Sequence, residues 1–219
     1  ALKQKIFADL DRKCPPGTIL ASNTSTFIPS SLAAGLAHPE RVVILHYWNP
    51  AHLIPLVEVV PHAGTAPAVL VRSKALLEAC GKRPVVLGGE VAGFIGNRLA
   101  FALQREAMDL VARGVATPDD IDTVVRTGFG RRIPVSGIFG TADLGGLDVY
   151  LAICQSLFPD LCADQGAPEA LRRLVEQGRL GLKSGAGWRQ YTPEQAAALR
   201  TAIAEELLRY AKQDRESGS

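Results

Sequence analysis

The chain has 219 residues, 47% of them apolar and 21% charged, which suits one or two small domains with a buried core and excludes general disorder. Twenty-four Lys and Arg against 22 Asp and Glu leave a formal charge of +2, so there is no basic footprint for nucleic acid. The longest apolar runs, such as residues 42–45 and 196–199, fall far short of the ~20 residues that span a bilayer, and no membrane partner is expected.

In chain order, residues 1–13 read as an amphipathic helix with Leu2, Ile6 and Leu10 on one face, rather than as a signal sequence. Cys14 and the Pro15-Pro16-Gly17 break follow. Residues 18–21 form a short β run ending in Ser22-Asn23-Thr24-Ser25, and a second helical stretch covers 29–36. Residues 42–48 and 54–60 are β-rich runs joined by a hairpin-like turn through Asn49-Pro50-Ala51-His52-Leu53. A helix over 65–80 and a strand over 83–87 complete α/β grammar, and Gly88-Gly89 marks a boundary.

Beyond that boundary the period is helical. Residues 94–113 carry a wide apolar stripe that Gly114 ends. Thr117-Pro118-Asp119-Asp120 predicts a capped helix to about Arg126, and Thr192-Pro193-Glu194-Gln195 predicts a terminal helix before a frayed tail over 214–219. The fold class expected is α/β over 1–89 followed by an all-α C-terminal domain over 90–219. Cys14, Cys80, Cys154 and Cys162 show neither a CxxC pair nor zinc-like spacing and read as four reduced thiols in a cytoplasmic protein, with no metal. His38, His52 and His62 have no metal-like partner spacing and read as solvated loop histidines.

A hairpin about the 49–53 turn sets His46 opposite Glu58. A carboxylate across two strands from an imidazole fixes its tautomer and raises its basicity, which is the wiring of a general base. The alternative from spacing alone is an ordinary sheet histidine and a solvent-facing acid. Asn23 and Ser25 could likewise be helix caps, and Asn49-Pro50 a plain turn.

The flanking residues add to this. Leu45-His46-Tyr47-Trp48-Asn49-Pro50 with Ile54-Pro55-Leu56-Val57-Glu58-Val59-Val60 resembles the signature of the 3-hydroxyacyl-CoA dehydrogenase family. Ser22-Asn23-Thr24-Ser25, Ala92-Gly93-Phe94-Ile95-Gly96-Asn97-Arg98 and Gly181-Leu182-Lys183-Ser184-Gly185-Ala186-Gly187 match its other motifs in order. The resemblance implies an NAD-dependent oxidation of the 3-hydroxy group of a 3-hydroxyacyl-CoA, such as 3-hydroxybutyryl-CoA. It implies His46 as general base, Glu58 holding it, and Ser25 and Asn97 on the substrate oxygen. Lys3, Asn23, Ser25, Asn49 and Lys183 would serve the cofactor, in a cleft between two domains of a homodimer.

The sequence also departs from that pattern. No GxGxxG follows a first strand and no acidic ribose reader follows it, so measured against that family the α/β part (1–89) is expected to be a truncated Rossmann-like domain, with residue 1 roughly a hundred residues into it, and the chain to bind NAD weakly. Tyr47-Trp48 stands where the acyl-CoA enzymes usually have Phe-Phe, and the segment 131–137 is divergent. Similarity to the lambda-crystallin type of L-gulonate 3-dehydrogenase makes a free hydroxy or sugar acid the alternative substrate. Arg131 and Arg132 then either hold a carboxylate or form a solvated pair at a helix end. The rival from another class is a non-catalytic dimeric remnant lacking the cofactor site.

Overall fold

The computed structural model describes residues 2–216, and they form two compact units. One holds the residues up to Leu99 together with those from Arg200 onward; the other is Ala100–Leu199.

The first unit is built on a four-stranded sheet of β1 (Leu20–Ser22), β2 (Val42–Tyr47), β3 (Leu56–Val60) and β4 (Arg83–Val86), lying side by side in chain order. β1 and β2 are parallel, β2 and β3 antiparallel, β3 and β4 parallel. β2 and β3 are central, and their valines and isoleucine are buried on both faces, which is why these runs are nearly continuously apolar. The pleat sorts the side chains by alternation. Val42, Ile44 and Val60 join Phe7, Leu20, Leu32 and Phe94 on one face; Val43, Val57 and Val59 join Val69 and Leu77 on the other. The second face is covered by α3 (Pro67–Ala79). The first is covered by α1 (Leu2–Lys13) and the short α2 (Pro29–Ala33), the latter shorter than the helix expected over 29–36.

The inward face of α1 differs from expectation. Leu2, Ile6 and Leu10 are exposed, while Phe7 and Asp11, one turn apart, are buried. The reason is electrostatic: Arg41 is buried and donates to Asp11 Oδ1, to the Asp11 carbonyl in the last turn of α1, and to the Pro15 carbonyl at 2.7 Å beyond the helix end. Desolvation pushes the Asp11 carboxyl up, but the bonds from Arg41 and the Ala37 and His38 N–H groups outweigh it and hold it below the usual carboxylate range. A face carrying an ion pair with its hydrogen bonds completed outranks one carrying three aliphatic residues.

The second unit is helical, with α4 (Gly96–Ala112) entering it, then α5 (Pro118–Thr127), α6 (Ile133–Gly145), α7 (Leu147–Leu157) and α8 (Glu169–Glu176). The last helix, α9 (Pro193–Glu216), leaves it. Both predicted caps are present. Thr117 and Asp120 form a reciprocal capping box on α5, and Thr192 and Gln195 exchange the same pair of bonds at the start of α9. The tail expected to fray from Asp214 is instead helical to Glu216, with Asp214 3.0 Å from the Arg83 guanidinium; the remainder to Ser219 lies outside the described residues, as does Ala1. No single helix among the described residues is long and apolar enough to cross a membrane.

Candidate active site

The sheet register sets His46 directly opposite Glu58, as the turn position predicts. Alternation places both on the face that carries Ile44 and Val60, and both are buried, at 7% and 1% exposure. This rules out a solvent-facing Glu58. His46 Nδ1 lies 2.9 Å from Glu58 Oε2.

The carboxylate takes four hydrogen bonds, two on each oxygen. Oε2 accepts from His46 and from the Trp48 indole N–H at 3.3 Å; Oε1 accepts from the backbone N–H groups of Ile95 at 2.9 Å and Gly96 at 3.0 Å. Burial pushes the Glu58 carboxyl up, yet the bonds from Gly96, His46, Ile95 and Trp48 outweigh it and hold it below the usual carboxylate range. An ionised carboxylate only accepts, so the proton of the His46–Glu58 bond belongs to Nδ1 and the lone pair of the neutral ring is on Nε2.

The two backbone donors exist because the chain turns sharply before α4. Gly93 and Phe94 both have left-handed backbone, φ +78° and +54°, which aims the N–H groups at the start of the helix toward Glu58. A phenylalanine in that region is strained, and the full burial of its ring offsets the strain. That ring meets His46 edge-to-face at 5.2 Å between centroids, and Trp48 meets it likewise at 5.9 Å. Trp48 also lies against Gly96, where an added Cβ would stand 2.2 Å from the indole, so only glycine fits. Trp48 and the Gly93-Phe94 turn lie in motifs that the sequence shows, but the sequence assigns neither a contact with Glu58; the glycines at 93 and 96 are the available signal.

The other candidates are distributed as follows. Asn23 Oδ1 accepts from Tyr47 N–H at 2.8 Å, tying the exit of β1 to the end of β2. Ser25 and Asn23 do not cap α2, whose N-cap is Ile28 with no side-chain cap; Thr24 Oγ1 instead accepts the N–H groups of Thr26 and Phe27. Ser25 and Asn49 are exposed just past the C-terminal ends of the parallel β1 and β2, and Asn97 is half-buried in the first turn of α4. None of these three, nor exposed Lys3 on the first turn of α1, has a side-chain hydrogen bond among the described residues. The end of parallel strands is where α/β sheets receive dinucleotides. The uncommitted Ser25 hydroxyl and Asn49 amide there fit a cofactor rich in hydrogen-bonding groups.

Lys183 belongs to the second unit, at a cavity of about 590 Å³ that Met108, Leu171 and Trp188 also line. The loop carrying it is pinned to α5 by Arg189, which binds Asp122 at 2.7 Å and the Pro118 carbonyl at 2.8 Å. Arg131 and Arg132 are exposed, with no carboxylate partner among the described residues. His62 is not solvated as expected: its Nε2 lies 3.0 Å from the Pro39 carbonyl and its Nδ1 accepts the Gly64 N–H. No group of three or more His, Cys, Asp or Glu among the described residues could hold a metal.

Comparison with known proteins bears on the family. Residues 1–91 match the NAD binding domain of 3-hydroxyacyl-CoA dehydrogenase, and residues 93–191 match its C-terminal domain. The 5-formyl-3-hydroxy-2-methylpyridine 4-carboxylate 5-dehydrogenase of Mesorhizobium japonicum is 39% identical over 209 residues, 95% of this chain and 67% of that protein. A probable 3-hydroxybutyryl-CoA dehydrogenase of Bacillus subtilis is 38% identical over 87% of this chain and 66% of its own length. The crystal structure of an NAD+-dependent 5-formyl-3-hydroxy-2-methylpyridine 4-carboxylic acid 5-dehydrogenase superposes with a TM-score of 0.92 at 37% identity, covering 99% of this chain and 70% of that one. The human lambda-crystallin homolog is 44% identical, but the chain spans only 45% of it. With both domain matches in order along the chain, the protein belongs to the 3-hydroxyacyl-CoA dehydrogenase family of NAD-dependent oxidoreductases.

Proposed function

We propose that the protein oxidises the 3-hydroxy group of a 3-hydroxyacyl-CoA to the 3-oxo product, with His46 as general base. The observation that carries this is the buried His46–Glu58 pair, whose carboxylate has every lone-pair direction occupied. Glu58 keeps its proton partner on Nδ1, so Nε2 takes the hydroxyl proton as the hydride leaves the same carbon and the carbonyl forms. The imidazolium that results is stabilised by the carboxylate behind it. Bound NAD supplies the hydride acceptor. Ser25 and Asn97 hold the substrate oxygen, and being neutral they serve alcohol and developing carbonyl alike. Lys3, Asn23, Asn49 and Lys183 are assigned to the cofactor. Asn23 does so with its amide oxygen already committed to β2.

A second substrate reading, a free hydroxy acid, is supported by the TM-score of 0.92 to the pyridine-carboxylate dehydrogenase, against 0.68 for an Escherichia coli 3-hydroxybutyryl-CoA dehydrogenase. Initial rates with NAD on 3-hydroxybutyryl-CoA, longer 3-hydroxyacyl-CoAs and free hydroxy acids, including a pyridine carboxylate, separate the two. Higher kcat/KM on the thioesters supports the acyl-CoA reading. Turnover of free acids alone replaces it.

We also propose that the enzyme acts as a homodimer in the cytoplasm. α6 and α7 expose apolar side chains far in excess of scattered surface residues, with Val135, Phe139 and Leu144 at 89%, 85% and 81%. A second copy is the occupant assigned to this face, following the family resemblance.

A further inference from the structure

We propose that Trp48 is a positioning residue for the catalytic pair, setting the basicity of His46 through the hydrogen bond its indole N–H gives Glu58. The inference rests on the general-base reading of His46. Three contacts converge on this side chain. Its Nε1 donates to Glu58 Oε2, the same oxygen that His46 Nδ1 engages, at 3.3 Å. Its ring stands edge-to-face to the imidazole, at 62° between planes. Its six-membered ring fills the space beside Gly96, the residue whose N–H binds the other carboxylate oxygen. One side chain therefore touches the base, the carboxylate and the helix start that holds the carboxylate.

The consequence for proton affinity follows from charge sharing. Each donor on Oε2 draws negative charge from it and weakens its pull on the His46 proton. With the indole N–H removed, the imidazole N–H is the sole donor on Oε2, and the imidazolium is better stabilised. Among the described residues no other ionisable group hydrogen-bonds to His46 or Glu58; Glu90, on the segment leading into α4, accepts the Ser30 N–H at 2.9 Å instead. On β3 the partner of His46 is Glu58 itself, and on β4 the register neighbour of Glu58 is Val85. On β1 the last paired residue is Ser22, and the segment leading into α4 presents backbone N–H groups and the Phe94 ring. A phenylalanine, which has a ring and no donor, cannot reproduce the Trp48 arrangement. In this respect the Trp48 site differs from the Phe-Phe pattern usual in the acyl-CoA enzymes.

The test is Trp48→Phe in the enzyme with NAD. The titration midpoint of His46, read by NMR of histidine labelled with nitrogen-15, is expected to rise by about half a pH unit, the size of one modest hydrogen bond. The acid limb of the kcat/KM profile should rise with it, and KM for NAD should stay unchanged. Should Trp48→Phe fold poorly, 3-benzothienylalanine at position 48 keeps the bicyclic ring, lacks the N–H, and must give the same shift. A lower Tm with the midpoint and the acid limb unmoved would overturn the inference and make Trp48 a packing residue only. Failure of the general-base reading has a different signature: His46→Ala would retain turnover, whatever the NMR midpoint of Trp48→Phe.

Discussion

At the scale of single residues, the proposed chemistry rests on Glu58 more than on any other side chain apart from His46. Its folded-state carboxyl is held below the usual range, so it contributes stability that is present above its unfolded value, about 4.5, and is lost as pH falls through the lower folded value. The wild-type Tm should therefore be flat above about pH 5 and fall steeply below about pH 4.5. Glu58→Gln should have a lower Tm at neutral pH and a shallower fall in the acid window. It should also lose kcat by a factor on the order of 10² or more, because an amide no longer fixes the Nδ1–H tautomer. Thermal melts from pH 3 to 7 on both proteins check the slope, and a parallel pair of curves would contradict it. The pairing of His46 with Glu58 was legible from sequence, since a short turn dictates register and alternation dictates face. The donors on Glu58 were not. Trp48 lies ten positions before Glu58 and Ile95 and Gly96 lie 37 and 38 after it, and no local pattern encodes such contacts.

At the scale of elements, the features that could be read were those set by local chemistry. Thr117 and Thr192 announced their helices because a hydroxyl followed three residues later by an acid or amide closes a capping box within one turn. The run 42–48 was readable as a strand because β-branched residues buried on both faces leave little polarity between them. Elements decided by tertiary contact were misjudged. α1 looked amphipathic about Leu2, Ile6 and Leu10, yet Arg41, 30 positions away from Asp11, holds a different stripe, Phe7 and Asp11, inward. The tail from Asp214 looked polar enough to fray, yet Arg83 meets Asp214, 131 positions apart, and the helix continues to Glu216. The left-handed Phe94 was invisible too, because a bulky residue at positive φ contradicts local preference and is held there by burial.

At the scale of the whole molecule, the motif order indicated the family, and the domain matches show it. The assembly is the next matter to test. If a second copy covers α6 and α7, light scattering at micromolar concentration should give twice the mass of one chain, and Phe139→Glu should halve it by placing a charge in an apolar contact. A wild-type monomer would contradict the dimer.

The account as a whole turns on His46 as the base. The most direct test is the turnover of His46→Ala with NAD and the best hydroxy substrate, measured beside its affinity for NAD. The account predicts a fall in kcat on the order of 10² to 10⁴ with NAD affinity little changed; turnover within a few-fold of wild type would contradict it.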